Sequence, residues 1–149
     1  MKENMSKYHQ GKFRPKNPEK YKGDIDNIVY RSSWELRFLK FCDNNKNIIE
    51  YASEEIIIPY FSPLDGKTHR YFVDFYIKVK NSNNIIKKYL IEVKPKHQTV
   101  PPKKPKRMSK KYQDALKTYA VNEAKWNAAK RVCDERDWSF MILTEDHLT

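Results

Sequence analysis

Asp74 and the triplet Glu92-Val93-Lys94 are the residues of this chain whose types and spacing could do chemistry. Two carboxylates and an ammonium group act together only if the fold turns them the same way, and the residues around them alternate as strands do. In Tyr71 to Lys80, Tyr71, Val73, Phe75, Ile77 and Val79 point to one side and Phe72, Asp74, Tyr76 and Lys78 to the other. In Lys87 to Lys94, Tyr89, Ile91 and Val93 oppose Leu90, Glu92 and Lys94. Glu92 and Lys94 then share a face, with Cα atoms roughly 6.8 Å apart at strand rise. Pro95 has no N–H for a ladder and should end the strand.

Asn81-Ser82-Asn83-Asn84 separates the two runs and reads as the turn of an antiparallel hairpin. If both apolar faces enter one core, Val73 lies opposite Val93 and Asp74 opposite Glu92. Opposed carboxylates, with Cβ atoms about 5 Å apart, repel unless a cation or a proton lies between them. A divalent metal ion satisfies that requirement. A slip of two residues leaves the alternative of a plain Asp74–Lys94 cross-strand ion pair.

A third carboxylate lies upstream. Ser32-Ser33-Trp34-Glu35 has the spacing of a capping box, which predicts a helix from Ser32 to about Asn44. At 100° per residue, Trp34, Phe38 and Phe41 form its apolar stripe, Glu35 lies beside them in line with Leu39 and Cys42, and Arg37, Lys40 and Asp43 occupy the far side. Glu35 is either a routine cap or a carboxylate that reaches a metal held on the sheet.

The combination of Glu35, Asp74 and Glu92-Val93-Lys94 resembles the PD-(D/E)XK nuclease superfamily, in the branch similar to the endonuclease subunit of heteromeric transposases. Six segments are similar, in order, to the head completion nucleases of tailed bacteriophages: Tyr30 to Glu35, Ser53-Glu54-Glu55, Ile58-Pro59-Tyr60, Arg70 to Asp74, Ile91 to Pro95, and Leu143 to Asp146. The likeness runs from about Gly11 to the C-terminus. It implies an α/β fold with a restriction-endonuclease-like mixed β-sheet flanked by helices in a single domain. It also implies that Asp74 and Glu92 hold the metal, that Glu35 completes the metal site, and that Lys94 contacts the attacking water or the scissile phosphate. Val73 stands where the superfamily signature has proline, at a position that varies widely.

The implied activity is a Mg2+-dependent phosphodiesterase, with Mn2+ as a substitute: a DNA endonuclease or end-trimming nuclease that finishes a DNA-filled phage head before tail attachment. Double-stranded DNA and head or head–tail connector proteins are the implied partners, in the host cytoplasm or the virion. The alternative is a non-catalytic DNA-end-binding or head-plugging protein. An RNA-binding basic domain is a third reading.

Charge supports a polyanionic partner independently: 30 Lys and Arg against 19 Asp and Glu give the 149 residues a net charge of +11. Between Val93 and Gln113 there is no acidic residue, while Lys96, Lys103, Lys104, Lys106, Arg107, Lys110 and Lys111 follow Lys94. Pro95, Pro101, Pro102 and Pro105 predict an extended, semi-rigid loop over 95–107. These cations, with His97 and with Arg70 before Asp74, are the candidate DNA contacts; His69 and His97 flank the two strands, and each is open to a general-base or a phosphate-contact role. Residues 1–23 form a second basic segment, with Lys7, Lys12, Arg14, Lys16, Lys20 and Lys22 interleaved with Tyr8, Phe13 and Tyr21. This arm either orders on nucleic acid or protein, or packs its rings on the domain.

The rest, 24–149, reads as the nuclease-like domain, and a chain of 149 residues is long enough to bury roughly 68–70% of its unfolded surface. Cys42 and Cys133 lack metal-ligand spacing, and with only three glycines there is no phosphate-binding glycine loop. Without a visible signal peptide or membrane span, the expectation is a soluble intracellular protein with no membrane partner. Further elements follow: a strand around 54–60 with Ile56 and Ile58 on one side, a turn over 62–66, helices over 109–121 and, capped by Asn122, to about 134, and a last strand over 140–143. Trp126 and Tyr119 are read as core residues.

Overall fold

A computed structural model describes residues 10–148, so Lys7 and Tyr8 of the basic arm lie outside the described residues. In chain order the strands are β1 (Gly11–Lys12), β2 (Val29–Tyr30), β3 (Ile48–Ser53), β4 (Ile57–Phe61), β5 (Thr68–Phe72), β6 (Phe75–Lys80), β7 (Ile86–Val93) and β8 (Ser139–Leu143). The α-helices are α1 (Ser33–Asn44), α2 (Lys110–Arg136) and α3 (Glu145–Leu148). Strands β3, β6, β7 and β8 form a sheet in that order, antiparallel except for the parallel β7–β8 pair, which α2 connects.

Alternation sends each strand's side chains to two cores. On one face Phe75, Ile77, Ile91 and Val93 pack with Trp34, Phe38 and Leu39 of α1 and with Phe13 and Tyr21 from the N-terminal basic segment. On the other, Tyr76 and Leu90 meet Trp126, Ala129 and Cys133 of α2. Helices thus flank a mixed sheet, the α/β restriction-endonuclease-like arrangement. Trp126 is buried within the second core, where Tyr119 packs against it edge to face.

The run from Tyr71 to Lys80 is two strands and not one. Tyr71 and Val73 belong to the α2-side core, whereas Phe75 and Ile77 belong to the α1-side core, so the alternation reverses at Asp74. Strand β5 pairs with β4 in a separate ribbon, closed by a turn in which Gly66 takes φ +67°. The ribbon joins the sheet at a corner. Ser53 faces Phe75 on one side of it and Ile57 faces Phe72 on the other, so residues 54–56 oppose only 73 and 74. An extra residue on one strand is a bulge, which bends the pair and re-aims side chains. Glu54 absorbs the bend with φ 56°, and the bonds Glu54 N to Asp74 O (3.1 Å) and Val73 N to Ile56 O (3.0 Å) tie the corner across.

The strand anticipated near 54–60 is therefore β4, preceded by β3, which the sequence pattern did not disclose. Ile58 is buried and Ile56 packs beside it, on one side as anticipated. The two helices predicted over 109–134 are one helix of 27 residues. Asn122 is buried inside it and caps nothing; Ser109 is the cap, its side chain accepting from Tyr112 N.

Helix α1 begins as its sequence dictates, Ser32 Oγ accepting from Glu35 N at 3.0 Å. The Ser32→Ala change should cost about 1 kcal/mol of stability in a denaturant titration, and an unchanged midpoint would refute the capping role. Its buried arc is turned from the anticipated stripe: Trp34, Phe38, Leu39 and Cys42 are buried, but Phe41 is exposed. Asp43 is buried rather than solvated, because Lys16 N, Asn17 N and the Tyr51 hydroxyl all donate to it. Glu35 accordingly lies near the middle of the inward side of the first turn.

Candidate active site

The corner and the β6–β7 hairpin together set the candidate residues. Phe75 pairs with Ile91 and Tyr76 with Leu90, the register that runs on to Asp74 opposite Glu92. Leaving the ladder at the bulge, Asp74 turns its carboxylate across to β7, where Oδ2 accepts from Val93 N at 2.8 Å. The bland alternative, a slip that pairs Asp74 with Lys94, is not what forms. Lys94 instead lies against Glu92, Nζ to Oε2 3.4 Å, and its own N–H donates to Leu143 O at 3.0 Å.

Glu92 is a charged residue with only 5% exposure. Its cover is Tyr71 from the β5 ribbon, whose hydroxyl donates to Glu92 Oε1. Burial first, and then the Glu92 charge, raise the Tyr71 pKa far above the phenol range, so the hydroxyl stays a donor. Burial also lifts the Asp74 pKa well above the ordinary carboxylate value; Glu92 raises it further, and Glu35 adds to this, against the Val93 N–H and Lys94. The two carboxylates thus repel in a place where water cannot screen them fully.

Glu35 reaches this group from α1. Its Oε1 accepts from Arg31 N at 2.9 Å, one residue earlier than the Ser32 N–H that a capping box supplies. Burial raises its pKa, the Arg31 N–H lowers it, and the charges of Glu54 and Glu92 raise it again. Glu35, Asp74 and Glu92 are therefore electrostatic neighbours. Among the described residues, no three His, Cys, Asp or Glu side chains are already drawn together as a metal cage.

The candidate DNA contacts divide into two sets. Lys103, Lys104, Lys106, Arg107, Lys110 and Lys111 are all exposed after the site strand, and Lys110 also pairs with Asp114 at 3.2 Å. Lys96 is held to α3, its Nζ 3.1 Å from Asp146 Oδ2 and its N–H donating to Glu145. His97 borders a groove between the proline-rich loop and α2, where Pro101, Tyr119 and Asn122 also lie. On the ribbon, Arg70 stacks over Phe72, while His69 lies 2.7 Å from Asp65 and beside the Tyr60 ring. His69 is thus engaged away from the carboxylates.

Four residues at this place were not anticipated as site residues: Tyr71, Arg31, Glu54 and Lys125. Arg31 pairs with Glu54, and Lys125 of α2 lies 5.7 Å from the ring centres of both Tyr60 and Tyr71. Arg31, Glu54 and Tyr71 fall inside the short segments that carried the resemblance, which was the available signal. Lys125 had none, since only the packing of α2 on the ribbon brings it here.

Comparison with known proteins identifies the family of this chain. Residues 45–145 match the family model described as TnsA-like endonuclease N terminal, a stretch that holds Asp74, Glu92 and Lys94 but begins after Glu35. The chain is also 41% identical over 144 residues to the head completion nuclease of Enterobacteria phage T4, covering 94% of this chain and 93% of that protein. With its carboxylate-bearing sheet end placed inside the matched stretch, the chain belongs to the TnsA-like endonuclease family.

Proposed function

We propose that this protein is a magnesium-dependent nuclease acting on double-stranded DNA at the completion of a phage head. The observation that carries the reading is the meeting of half-buried Asp74 with buried Glu92 at one end of the sheet, with Lys94 on Glu92. Repelling carboxylates of this kind suit a hard divalent cation, for which oxygen donors are the natural ligands. Asp74 and Glu92 would hold it, with Glu35 beside them, and manganese can take the same donors. When bound, it supplies positive charge to a phosphoryl oxygen and makes water more acidic.

The chain's own groups prepare the rest. The Val93 N–H orients Asp74, and the Tyr71 hydroxyl fixes Glu92 and shields it from solvent. Lys94 keeps a point charge where negative charge grows on a phosphate. The exposed cations from Lys103 to Lys111 track the backbone of a duplex, with Lys96, His97 and Arg70, close in sequence to the carboxylates, as further contacts. Each phosphate neutralised should add roughly 0.9 to the slope of log affinity against log salt.

The assignment to head completion is supported by the phage T4 relative's name and by the extent of the match. Head or head–tail connector proteins, the host cytoplasm and the virion are the partners and places that such a role entails. Linear and circular duplex DNA incubated with the protein should stay whole in a chelator and be cut as magnesium is titrated in. Duplex that is bound tightly yet left intact at every metal concentration would favour the DNA-end-binding alternative and end this reading.

A further inference from the structure

The side chains of Arg31 and Glu54 stand beside the carboxylate cluster and pair with each other. The Arg31 N–H is the donor that holds Glu35, which fixes the arginine's backbone to the cluster. Glu54 is fixed from the other side, through its N–H to Asp74 O and its left-handed φ of 56° at the corner. A non-glycine residue in that region is uncommon, and here the bulge holds it there. Between these two anchors the Arg31 guanidinium grips the Glu54 carboxylate. The arginine side chain is 53% exposed and the glutamate 33%, so the pair is open to solvent at the edge of a cleft next to the cluster.

A guanidinium presents the same fork to a carboxylate as to a phosphate. We propose that Glu54 occupies the place of a DNA phosphate on Arg31, and that an incoming duplex displaces it, making Arg31 a substrate-binding residue held in reserve by Glu54. The inference rests on the nuclease reading for its substrate. The cleft that Arg31 and Glu54 border also contains Asp24 and Glu55. Those two carboxylates have partners of their own: Asp24 accepts from Asp26 N and Asn27 Nδ2, and Glu55 from the Tyr21 hydroxyl and Asp24 N.

The test is duplex binding in a chelator, where no cutting occurs, over a range of salt concentrations. Wild type is compared with Arg31→Ala, Glu54→Gln and the double variant. Glu54→Gln should bind several-fold more tightly, because Arg31 no longer has to be won from a carboxylate. Arg31→Ala should bind more weakly, with a log–log salt slope shallower by about 0.9, the loss of one phosphate contact. In the Arg31→Ala background, Glu54→Gln should lose most of its effect.

A merely structural pair would lower the melting temperature but leave the slope unchanged. Equal slopes, or the same gain from Glu54→Gln in both backgrounds, overturn the proposal. If Arg31→Ala does not fold, an unchanged affinity for Glu54→Gln alone overturns it. A wild type that never cuts DNA, yet shows the slope difference, leaves Arg31 as a phosphate contact and removes only the nuclease reading. Cutting that depends on Asp74, with no slope difference, does the reverse.

Discussion

Asp74→Asn is expected to give a protein that melts at a higher temperature than wild type without metal and cuts DNA at least about 10³-fold more slowly. On the proposed role the loss follows from removing a carboxylate that would hold the cation, when such a cation contributes several kcal/mol to the transition state and each tenfold in rate is about 1.4 kcal/mol. The gain follows from electrostatics. Burial and the nearby Glu92 raise the folded-state pKa of Asp74 above its ordinary value of 3.8, so folding favours the protonated form. For an acid shifted upward, the contribution to stability is complete below the ordinary pKa and is lost as pH rises through the folded value.

Above its folded-state pKa the charged Asp74 is therefore a net burden on the metal-free fold. Asparagine removes the charge and keeps an oxygen for the Val93 N–H, which donates to Asp74 at 2.8 Å. The melting advantage should shrink toward acid pH, where Asp74 is protonated, and each kcal/mol relieved is worth about 3 °C in a chain of this size. Magnesium should raise the melting point of wild type and not of the variant. Thermal melts across pH with and without magnesium check this, and wild-type cutting rates in Asp74→Asn would overturn the assignment.

Lys94→Ala is expected to lower the cutting rate by about 10²- to 10³-fold, the usual loss when one preorganised stabilising group is removed from a reacting centre. Duplex affinity in a chelator should fall by no more than a single phosphate contact accounts for. Lys94 lies 3.4 Å from Glu92 Oε2 and also opposes the upward shift of Asp74. Without it, two carboxylates face each other with less positive charge, so the metal-free variant should be less stable than wild type at neutral pH and recover as pH falls. Single-turnover cutting assays and pH-dependent melts report the two effects separately. Cutting as fast as wild type would remove Lys94 from the site.

How far these residues could be read beforehand depended on whether local pattern or remote contact decided their place. The β6–β7 register was legible because both strands alternate cleanly around a turn of Asn and Ser, and a slip by one residue would have reversed their faces. The start of α1 was legible from Ser32 and Glu35, one turn of backbone. Strand β3 was not: Ile48, Tyr51, Ala52 and Ser53 are all buried, with both faces of the strand covered, so alternation carries no signal there.

Asn122 looked like a cap because its type favours one, but the packing of α2 across the sheet carried the helix straight through it. Asp43 looked like a solvated position, and its burial depends on two N–H groups contributed from residues 16 and 17, far away in sequence. For the candidate site, Asp74, Glu92 and Lys94 were legible from strand parity. Tyr71 was hidden by the reversal of that parity at the corner, which no short window of sequence announces.

That corner ties chain length to chemistry. Three residues, 54–56, face two, 73 and 74, and the mismatch swings β4 and β5 away from the sheet while leaving the Asp74 carboxylate on Val93. An insertion or deletion of one residue in 54–56 would turn Ile58 and Tyr60 outward and move the backbone that holds Asp74. The Asn-rich turn at 81–84 can vary in length at little cost to the sheet, whereas drift in gene length at the corner would strike fold and catalysis together.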